Sequence, residues 1–197
     1  MKTSVLLLRR HIEQTLAEKL SEAAFEALQQ SVFEKSYDKK QYIVEPESQC
    51  NYQYFILEGS CYSYYINEKG DKSVIQLAIE NHWITDASSY FANKAAVSSI
   101  ETLEPTRALL MSKDKLDKLC KAYPFFDRYF RILLQNAMAA LYTRIAKTNS
   151  EDAVYRYREF SELFPHFLQR IPQYLIASYL GIKPQSLSRI RKELLQK

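Results

Sequence analysis

Glycine is scarce in this sequence. Three of the 197 residues are glycines, namely Gly59, Gly70 and Gly181. A phosphate-binding loop needs several closely spaced glycines, so the nucleotide-binding folds that use such a loop are excluded. Histidine is equally rare, and the three that occur are His11, His82 and His166. Because each is isolated from any nucleophile or second metal ligand in the sequence, we expect no catalytic centre, no metal site and no cofactor.

Cysteines and long apolar runs are also few. The three cysteines, Cys50, Cys61 and Cys120, are odd in number and form no CxxC pair. Buried reduced thiols are therefore a better interpretation than a zinc site or a disulfide framework. No apolar run approaches the roughly 20 residues of a membrane span, and the apolar residues 5–8 are too short for the core of a signal peptide. We expect a cytoplasmic protein with no membrane contact.

The net charge of +4 is unevenly distributed along the chain. Residues 167–197 contain six cations and one acid, Glu193, and sum to +5, so the remaining residues sum to about −1. The six cations are Arg170, Lys183, Arg189, Arg191, Lys192 and Lys197. A positive excess confined to one end of the chain is typical of a nucleic-acid-binding segment.

The hydrophobic pattern changes character along the first half of the chain. Residues 4–33 predict helix, with Ser21 as the N-cap of a second segment from Glu22 to Gln30. The apolar face of the first segment comprises Leu6, Leu7, Ile12, Leu16 and Leu20. Short strands are then predicted from Tyr42 onward and at 53–57, 61–66, 73–79, 98–103 and 106–111, with a hairpin connection at 67–71. Strands at this spacing favour an antiparallel barrel or roll.

Beyond Ser112, which is predicted to cap a short helix, the pattern is helical. A long helix from Pro124 to about Lys147 carries two neighbouring apolar stripes, which are Phe126, Phe130, Leu133, Ala137 and Ala140, and Leu134, Met138, Leu141 and Ile145. Two stripes imply burial on two sides, which favours a dimerisation helix over the core helix of a monomer. A cap within residues 149–152 is predicted to start a further helix that runs to Phe164 and stops at Pro165.

Residues 176–192 have the pattern of a DNA-binding helix-turn-helix. The small Ala177 allows two helices to cross closely, Gly181 supplies the tight turn, and Pro184 opens the second helix. The apolar positions that such a pair must bury are Ile176, Leu180, Ile182, Leu187 and Ile190.

One side of the second helix is polar and basic. At 3.6 residues per turn, Gln185, Arg189 and Lys192 share the side opposite Leu187 and Ile190. Ser186 and Ser188 flank that side. An ordinary amphipathic surface helix with a basic face is the alternative interpretation, but the turn and packing residues favour a helix that enters the major groove.

The order of helix, roll, long helix and helix-turn-helix resembles the Crp/Fnr family of bacterial transcription regulators. The local sequence resembles the family at 55–59, at Arg156-Tyr157, at Phe164-Pro165 and from Ile171-Pro172 to Ile182. The resemblance implies an α+β fold with an N-terminal β-roll or jelly-roll sensor at 1–123, a dimerisation helix at 124–147 and a helix-turn-helix domain at 148–197. It also implies a homodimer on promoter DNA, RNA polymerase as a candidate partner, and a small-molecule effector whose identity is not specified.

The resemblance also assigns roles to residues of the second helix. By position, Gln185, Ser186 and Arg189 match the base-reading sites of the family. Arg189 has the forked donors that contact O6 and N7 of guanine. Lys183, Ser188 and Lys192 are expected to meet phosphates.

The sequence departs from the family in three respects. The cyclic-nucleotide pocket uses a Gly-Glu pair and an arginine, but the corresponding residues 83–99 contain no glycine, and no arginine lies between Arg10 and Arg107. Lys94 lacks the planar fork, so we expect no binding of cyclic AMP. There is no N-terminal cysteine cluster for an iron–sulfur centre and no histidine spacing for haem. The sequence ends five residues after Lys192, so no β-wing is expected.

Two other interpretations follow from the same residues. The chain could be an effector-binding or protein-interaction module whose helix-turn-helix no longer binds DNA. The tyrosines of one predicted strand, Tyr62, Tyr64 and Tyr65, could line an apolar effector pocket, although core packing and strand pairing are the more common roles of such residues.

Overall fold

The computed structural model describes residues 2–68 and 70–195. Lys69 of the predicted hairpin and Lys197 of the basic end lie outside the described residues.

Two helices precede the first strand: α1 spans Lys2–Leu16 and α2 spans Glu22–Ser31. The Ser21 hydroxyl accepts the backbone N–H of Ala24, which confirms the predicted N-cap. The buried face of the first predicted segment differs in part from the prediction: Ile12 and Leu20 are buried as predicted, but Val5 and Leu8 are buried as well. Leu6 and Leu7 are 39% and 38% exposed. The apolar run at 5–8 wraps around the helix, so its hydrophobicity alone did not define which side faces the core.

Two four-stranded antiparallel sheets form a β-roll. The first sheet has the order β1-β8-β3-β6 and the second has the order β2-β7-β4-β5. The strands are β1 (Phe33–Tyr37), β2 (Tyr42–Val44), β3 (Tyr52–Glu58), β4 (Cys61–Ile66), β5 (Lys72–Ala78), β6 (Trp83–Ile84), β7 (Ser99–Thr102) and β8 (Thr106–Ser112). In the second sheet β5 pairs with β4 alone, so it is an edge strand.

Three short elements of the roll were not predicted. Strand β1 follows the predicted helical segment, and it forms because Phe33 to Tyr37 pair with Leu110 to Thr106 of β8. Strand β6 is two residues long, and the short helix α3 (Ala87–Ala92) follows it in the chain. Contacts between residues far apart in the chain stabilise these elements, and hydrophobic periodicity does not register such contacts.

A long helix leaves the roll. Helix α4 (Lys113–Ala122) begins at the predicted cap Ser112, and α5 runs over Pro124–Ser150. At the base of α5, Tyr129 is fully buried, and its hydroxyl lies 2.9 Å from the indole nitrogen of Trp83 and 2.8 Å from Nδ1 of His11. From 134 to 143 every residue of the helix is exposed.

Four helices complete the chain: α6 (Ala153–Leu163), α7 (Pro165–Arg170), α8 (Gln173–Leu180) and α9 (Pro184–Leu195). The cap of α6 is Asp152, whose carboxylate accepts the N–H of Tyr155. Asn149 and Ser150 instead end α5, so the predicted start of α6 was placed too early. Helix α7 was not predicted, since Pro165 opens a short helix there rather than only ending α6.

Candidate nucleic-acid interface

Helices α8 and α9 form a helix-turn-helix. Gly181 ends α8 in the left-handed conformation with φ of +64°, and the N–H of Ile182 donates to the carbonyl of Ala177 at 2.8 Å. Ala177 is fully buried where the two helices pack. All five apolar residues that were predicted to lie between the helices are buried. They are Ile176, Leu180, Ile182, Leu187 and Ile190. The turn and its packing therefore agree with the sequence prediction.

The polar side of α9 faces outward. Leu187, 1% exposed, lies on the buried side of the helix, whereas the candidate base-reading residues Gln185 and Arg189 are exposed and Ser186 is half-buried. The candidate phosphate contacts Lys183, Ser188 and Lys192 are also exposed. Within the described part of the chain, none of these six side chains forms a hydrogen bond or an ion pair. The structure thus brings them together on an accessible surface whose donors are free to meet a ligand.

The other side of the helix-turn-helix is docked on the β-roll. Ser178 of α8 lies against the edge of β5, where its hydroxyl accepts the N–H of Val74 at 3.0 Å and donates to the carbonyl of Lys72 at 3.1 Å. One apolar cluster joins the two parts. It includes Tyr62, Tyr64, Val74, Leu77 and Ile79 of the roll and Phe160, Phe167, Ile171, Leu175 and Ile176 of the C-terminal helices. The helix-turn-helix therefore packs directly against the roll.

The tyrosines of β4 belong to this docked surface. Tyr62 and Tyr64 stack with ring centroids 5.0 Å apart, and both hydroxyls donate to the carboxylate of Glu101. The ammonium of Lys72 lies 4.0 Å from the centroid of the Tyr64 ring and 3.1 Å from Glu101. The sequence signal was the i, i+2 spacing of two tyrosines, which places both on one face of the strand. Their role as a surface that receives another domain was missed.

Arg170 is a second contact that the sequence analysis missed. At the end of α7 its guanidinium pairs with the carboxylates of Glu80 and Glu104 on the roll. The hydrogen bonds that Arg170 donates to Glu80 and Glu104 raise the pKa of its guanidinium, so the side chain stays charged. Arg170 contributes to the positive charge of the C-terminal end, but its charge is used within the molecule rather than on the exposed surface of α9.

The exposed part of α5 has an apolar side. Leu134, Met138, Leu141 and Ile145 follow one another at intervals of four, three and four residues, and Met138 is 47% exposed. This spacing is the heptad pattern of helices that pair side by side. The other predicted stripe, which begins at Phe126, changes in burial along the helix. Phe126 is buried in the protein's own core, whereas Ala137 and Ala140 are exposed.

Residues 83–99, which correspond to the cyclic-nucleotide pocket of the family, contain a buried carboxylate. The carboxylate of Asp86, 2% exposed, accepts the N–H groups of Ser89 and Ser98 at 2.8 Å and the hydroxyl of Ser98 at 2.6 Å. Asp86 thus occupies two backbone donors of this segment, and a carboxylate beside them disfavours a second anion at the same N–H groups. Lys94 is exposed, and the sequence has no arginine between Arg10 and Arg107 that could complete a clamp with it.

Comparison with known proteins identifies the architecture. Residues 34–123, from β1 to just beyond α4, match the family model of the cyclic nucleotide-binding domain. The structure of FixK2 from Bradyrhizobium japonicum superposes with a TM-score of 0.72 at 16% identity, over 84% of this chain and 85% of that one. A structure from Eubacterium rectale, assigned to the Crp/Fnr family of transcriptional regulators, gives 0.65 at 13% identity, over 89% and 84%. The fold is that of the Crp/Fnr regulators.

A third structure supports the same assignment. A CooA variant from Carboxydothermus hydrogenoformans matches the Crp/Fnr fold of this chain with a TM-score of 0.67 at 18% identity, over 93% of this chain and 83% of that one. No curated protein matches the sequence. Among residues 2–68 and 70–195, no helix is both long and apolar enough to cross a membrane.

Proposed function

We propose that this chain is a sequence-specific DNA-binding transcription regulator that acts as a homodimer and does not respond to cyclic AMP. The observation that carries the proposal is the exposed surface of α9, on which Gln185 and Arg189 stand beside Lys192 with no partner among the described residues. A helix-turn-helix places its second helix in the major groove, where side-chain donors meet base edges. The Crp/Fnr fold supports the same function.

The six polar side chains of this surface divide into two roles. Gln185, Ser186 and Arg189 lie in the first half of α9, which approaches the floor of the groove, and we assign them to base edges. Lys183 precedes the helix, Ser188 flanks the reading side, and Lys192 lies on that side but in the second half of α9, so we assign these three residues to phosphates.

The homodimer forms through the exposed half of α5. Its apolar stripe from Leu134 to Ile145 would otherwise remain in water, and pairing with the same stripe of a second copy buries both. Such a two-fold dimer presents two α9 helices to successive major grooves, about 34 Å apart. Its operator is therefore a palindrome.

Mapping of the DNA bound by the protein across its genome, followed by titration of the recovered site in vitro, tests the proposal. We expect a palindromic site that binds far more tightly than random DNA and loses affinity steeply with salt. A protein-interaction module with an inactive helix-turn-helix is the second candidate, which the docking of α8 on the roll favours. Absence of salt-dependent DNA binding would favour that candidate and contradict the proposal.

A further inference from the structure

The guanidinium of Arg156, in α6, lies among backbone carbonyl groups of two different elements. At the end of α5 and in the loop that follows, its Nη1 donates to the carbonyls of Thr148 at 3.0 Å and Glu151 at 2.8 Å, with Lys147 at 3.5 Å. Its Nη2 donates to the carbonyl of Gly181 at 3.3 Å. One planar side chain therefore connects the last turn of the long helix to the turn of the helix-turn-helix.

A second arginine holds the same turn from the other side. Arg144 of α5 lies 4.4 Å above the ring of Tyr179, and its Nη1 is 3.4 Å from the carbonyl of that residue. Both arginines thus meet carbonyls at the C-terminal end of α8, where the helix dipole favours a positive charge. An ion pair between Lys147 and Glu159 adds a second link between α5 and α6.

The turn itself is packed closely against α5. A side chain at Gly181 would place its Cβ 3.3 Å from the methyl group of Thr148, a contact with little spare room. The end of α5, the start of α6 and the turn before α9 therefore form one junction. The direction of α9 relative to α5 is fixed at this junction by hydrogen bonds to main-chain atoms.

We propose that Arg156 is the positioning residue that sets the distance between the two recognition helices of the dimer, and hence the spacing of operator half-sites. This inference rests on the proposed function. If α5 is the common axis of the dimer, the angle between α5 and α9 determines where each α9 meets the DNA. Arg156 fixes that angle because its carbonyl partners belong to both sides of the junction.

Lysine cannot replace arginine in this role. A guanidinium presents five N–H donors in a rigid plane, so one side chain can reach Thr148 and Gly181 at once. An ammonium group keeps the charge but concentrates its donors at one atom. Arg156→Lys therefore keeps the electrostatic attraction to the carbonyls and removes the geometric link. Arg158, exposed two residues further along α6, offers a matched control in Arg158→Lys.

The DNA experiment compares operators whose half-sites have the natural spacing with operators one base pair longer or shorter. Wild-type protein and Arg158→Lys are expected to prefer the natural spacing by roughly tenfold or more, since one added base pair shifts and rotates a half-site. Arg156→Lys is expected to lose most of this preference while still binding a single half-site sequence selectively. An unchanged spacing preference in Arg156→Lys would overturn the inference.

A measurement without DNA separates this inference from the proposed function. Spin labels at two exposed positions, Gln135 of α5 and Glu193 of α9, report the distance between these helices, which depends on the angle between them. Labelled chains are diluted into unlabelled ones so that only distances within one chain are measured. The Cys120→Ser background removes the half-buried thiol, and Cys50 and Cys61 are buried. The distance distribution should broaden in Arg156→Lys and stay narrow in Arg158→Lys.

The outcomes are distinct. A broadened distribution in a protein that binds no DNA would refute the proposed function and leave Arg156 as the residue that fixes α9. A distribution that stays narrow in Arg156→Lys would refute its positioning role. If Arg156→Lys does not fold, Arg144→Gln removes the contact with the Tyr179 carbonyl from the same junction, and an unchanged distribution in that variant would also count against the inference.

Discussion

The hydroxyl of Ser178 takes the place of a neighbouring strand for Val74. Strand β5 ends its sheet, and the N–H of Val74 donates to Ser178 of α8 at 3.0 Å instead of to another strand. Unpaired edge groups favour association with other chains, and proteins cover them for that reason. Here the first helix of the helix-turn-helix provides the cover, so the placement of α8 and the protection of the roll depend on the same contact.

Removal of this hydroxyl should destabilise the protein without removing a DNA contact. Ser178→Ala leaves the N–H of Val74 partly buried without an acceptor, which costs about 1–3 kcal/mol of unfolding free energy. Ser188→Ala, on the exposed surface of α9, should leave stability nearly unchanged and weaken DNA binding. Denaturant titration and DNA titration of both variants check this pair, and equal stability of the two variants would contradict the interpretation of Ser178.

The dimer prediction is tested best in the middle of the exposed stripe. Met138→Glu places a charge at the centre of the pairing surface and should yield monomers that bind DNA weakly. Charged residues at Ala137 should have the same effect, whereas Leu133 also packs against the protein's own core and would report both folding and pairing. Asn136→Glu, on the opposite side of the helix, is the control. Sedimentation that shows a monomeric wild-type protein at micromolar concentration would disprove the dimer.

Base readout and phosphate contact predict different behaviour for two neighbouring cations of α9. Arg189→Ala should cost roughly 1–3 kcal/mol on the cognate operator and flatten the preference at one base pair of each half-site. Lys192→Ala should weaken binding to all sequences about equally and reduce the salt slope by about one unit per subunit. Titrations of cognate and random DNA at several salt concentrations distinguish them. Equal losses on both DNAs for Arg189→Ala would make Arg189 a phosphate contact.

Cyclic AMP should not bind to the roll. The buried carboxylate of Asp86 already occupies two main-chain donors of its segment, those of Ser89 and Ser98, and the segment has no arginine to hold a cyclic phosphate. Calorimetry is expected to show no heat of binding at micromolar concentrations of protein and nucleotide. Saturable binding that maps to residues 83–99 would show that Lys94 or backbone amides suffice.

The His11 ring links folding stability to pH. Its burial, and to a smaller extent electrostatic interaction with the neighbouring His82, lowers the pKa of His11 from the usual 6.5. The unfolded chain therefore binds a proton at a higher pH than the folded chain does, so the free energy of unfolding falls as the pH drops below about 6.5 and levels off below the folded pKa. His11→Gln should make stability less dependent on pH between about pH 5 and 6.5.

The fluorescence of Trp83 can follow this transition. Trp83 is the single tryptophan of the chain and donates to Tyr129, the residue that His11 also contacts. Denaturant unfolding at several pH values provides the measurement. His166→Gln, at an exposed position, is the control and should retain the wild-type dependence. If His11→Gln and His166→Gln behave alike, His11 is not the group responsible.

Local chemistry explains which features could be predicted from the sequence. The turn and the buried residues of the helix-turn-helix were predicted correctly because Gly181, Pro184 and the apolar spacing act within a few positions of one another. Ser21 and Ser112 were identified as caps for the same reason. These signals depend on the conformational preferences of neighbouring residues, which the sequence states directly.

The features that were missed depend on distant partners. Strand β1 contains Glu34, Lys35 and Ser36 and has no strand pattern of its own, so it exists through its pairing with β8. Arg170 lies 90 residues after Glu80, one of the two carboxylates that bind it. A charge count places Arg170 on the DNA-binding side because charge alone contains no information about pairing across such distances.

The shared apolar cluster of roll and helix-turn-helix also bears on how the chain is made. Val74 leaves the ribosome 104 residues before Ser178, its hydrogen-bond partner. The last strand of the roll ends at Ser112, and from then until the C-terminal helices are made the edge of β5 and the tyrosine face of β4 have no cover. A nascent chain in this state exposes the kind of surface that chaperones bind. Translation of the last helices therefore completes the packing of the roll, and the C-terminal helix-turn-helix is the final part of the hydrophobic core that its strands share.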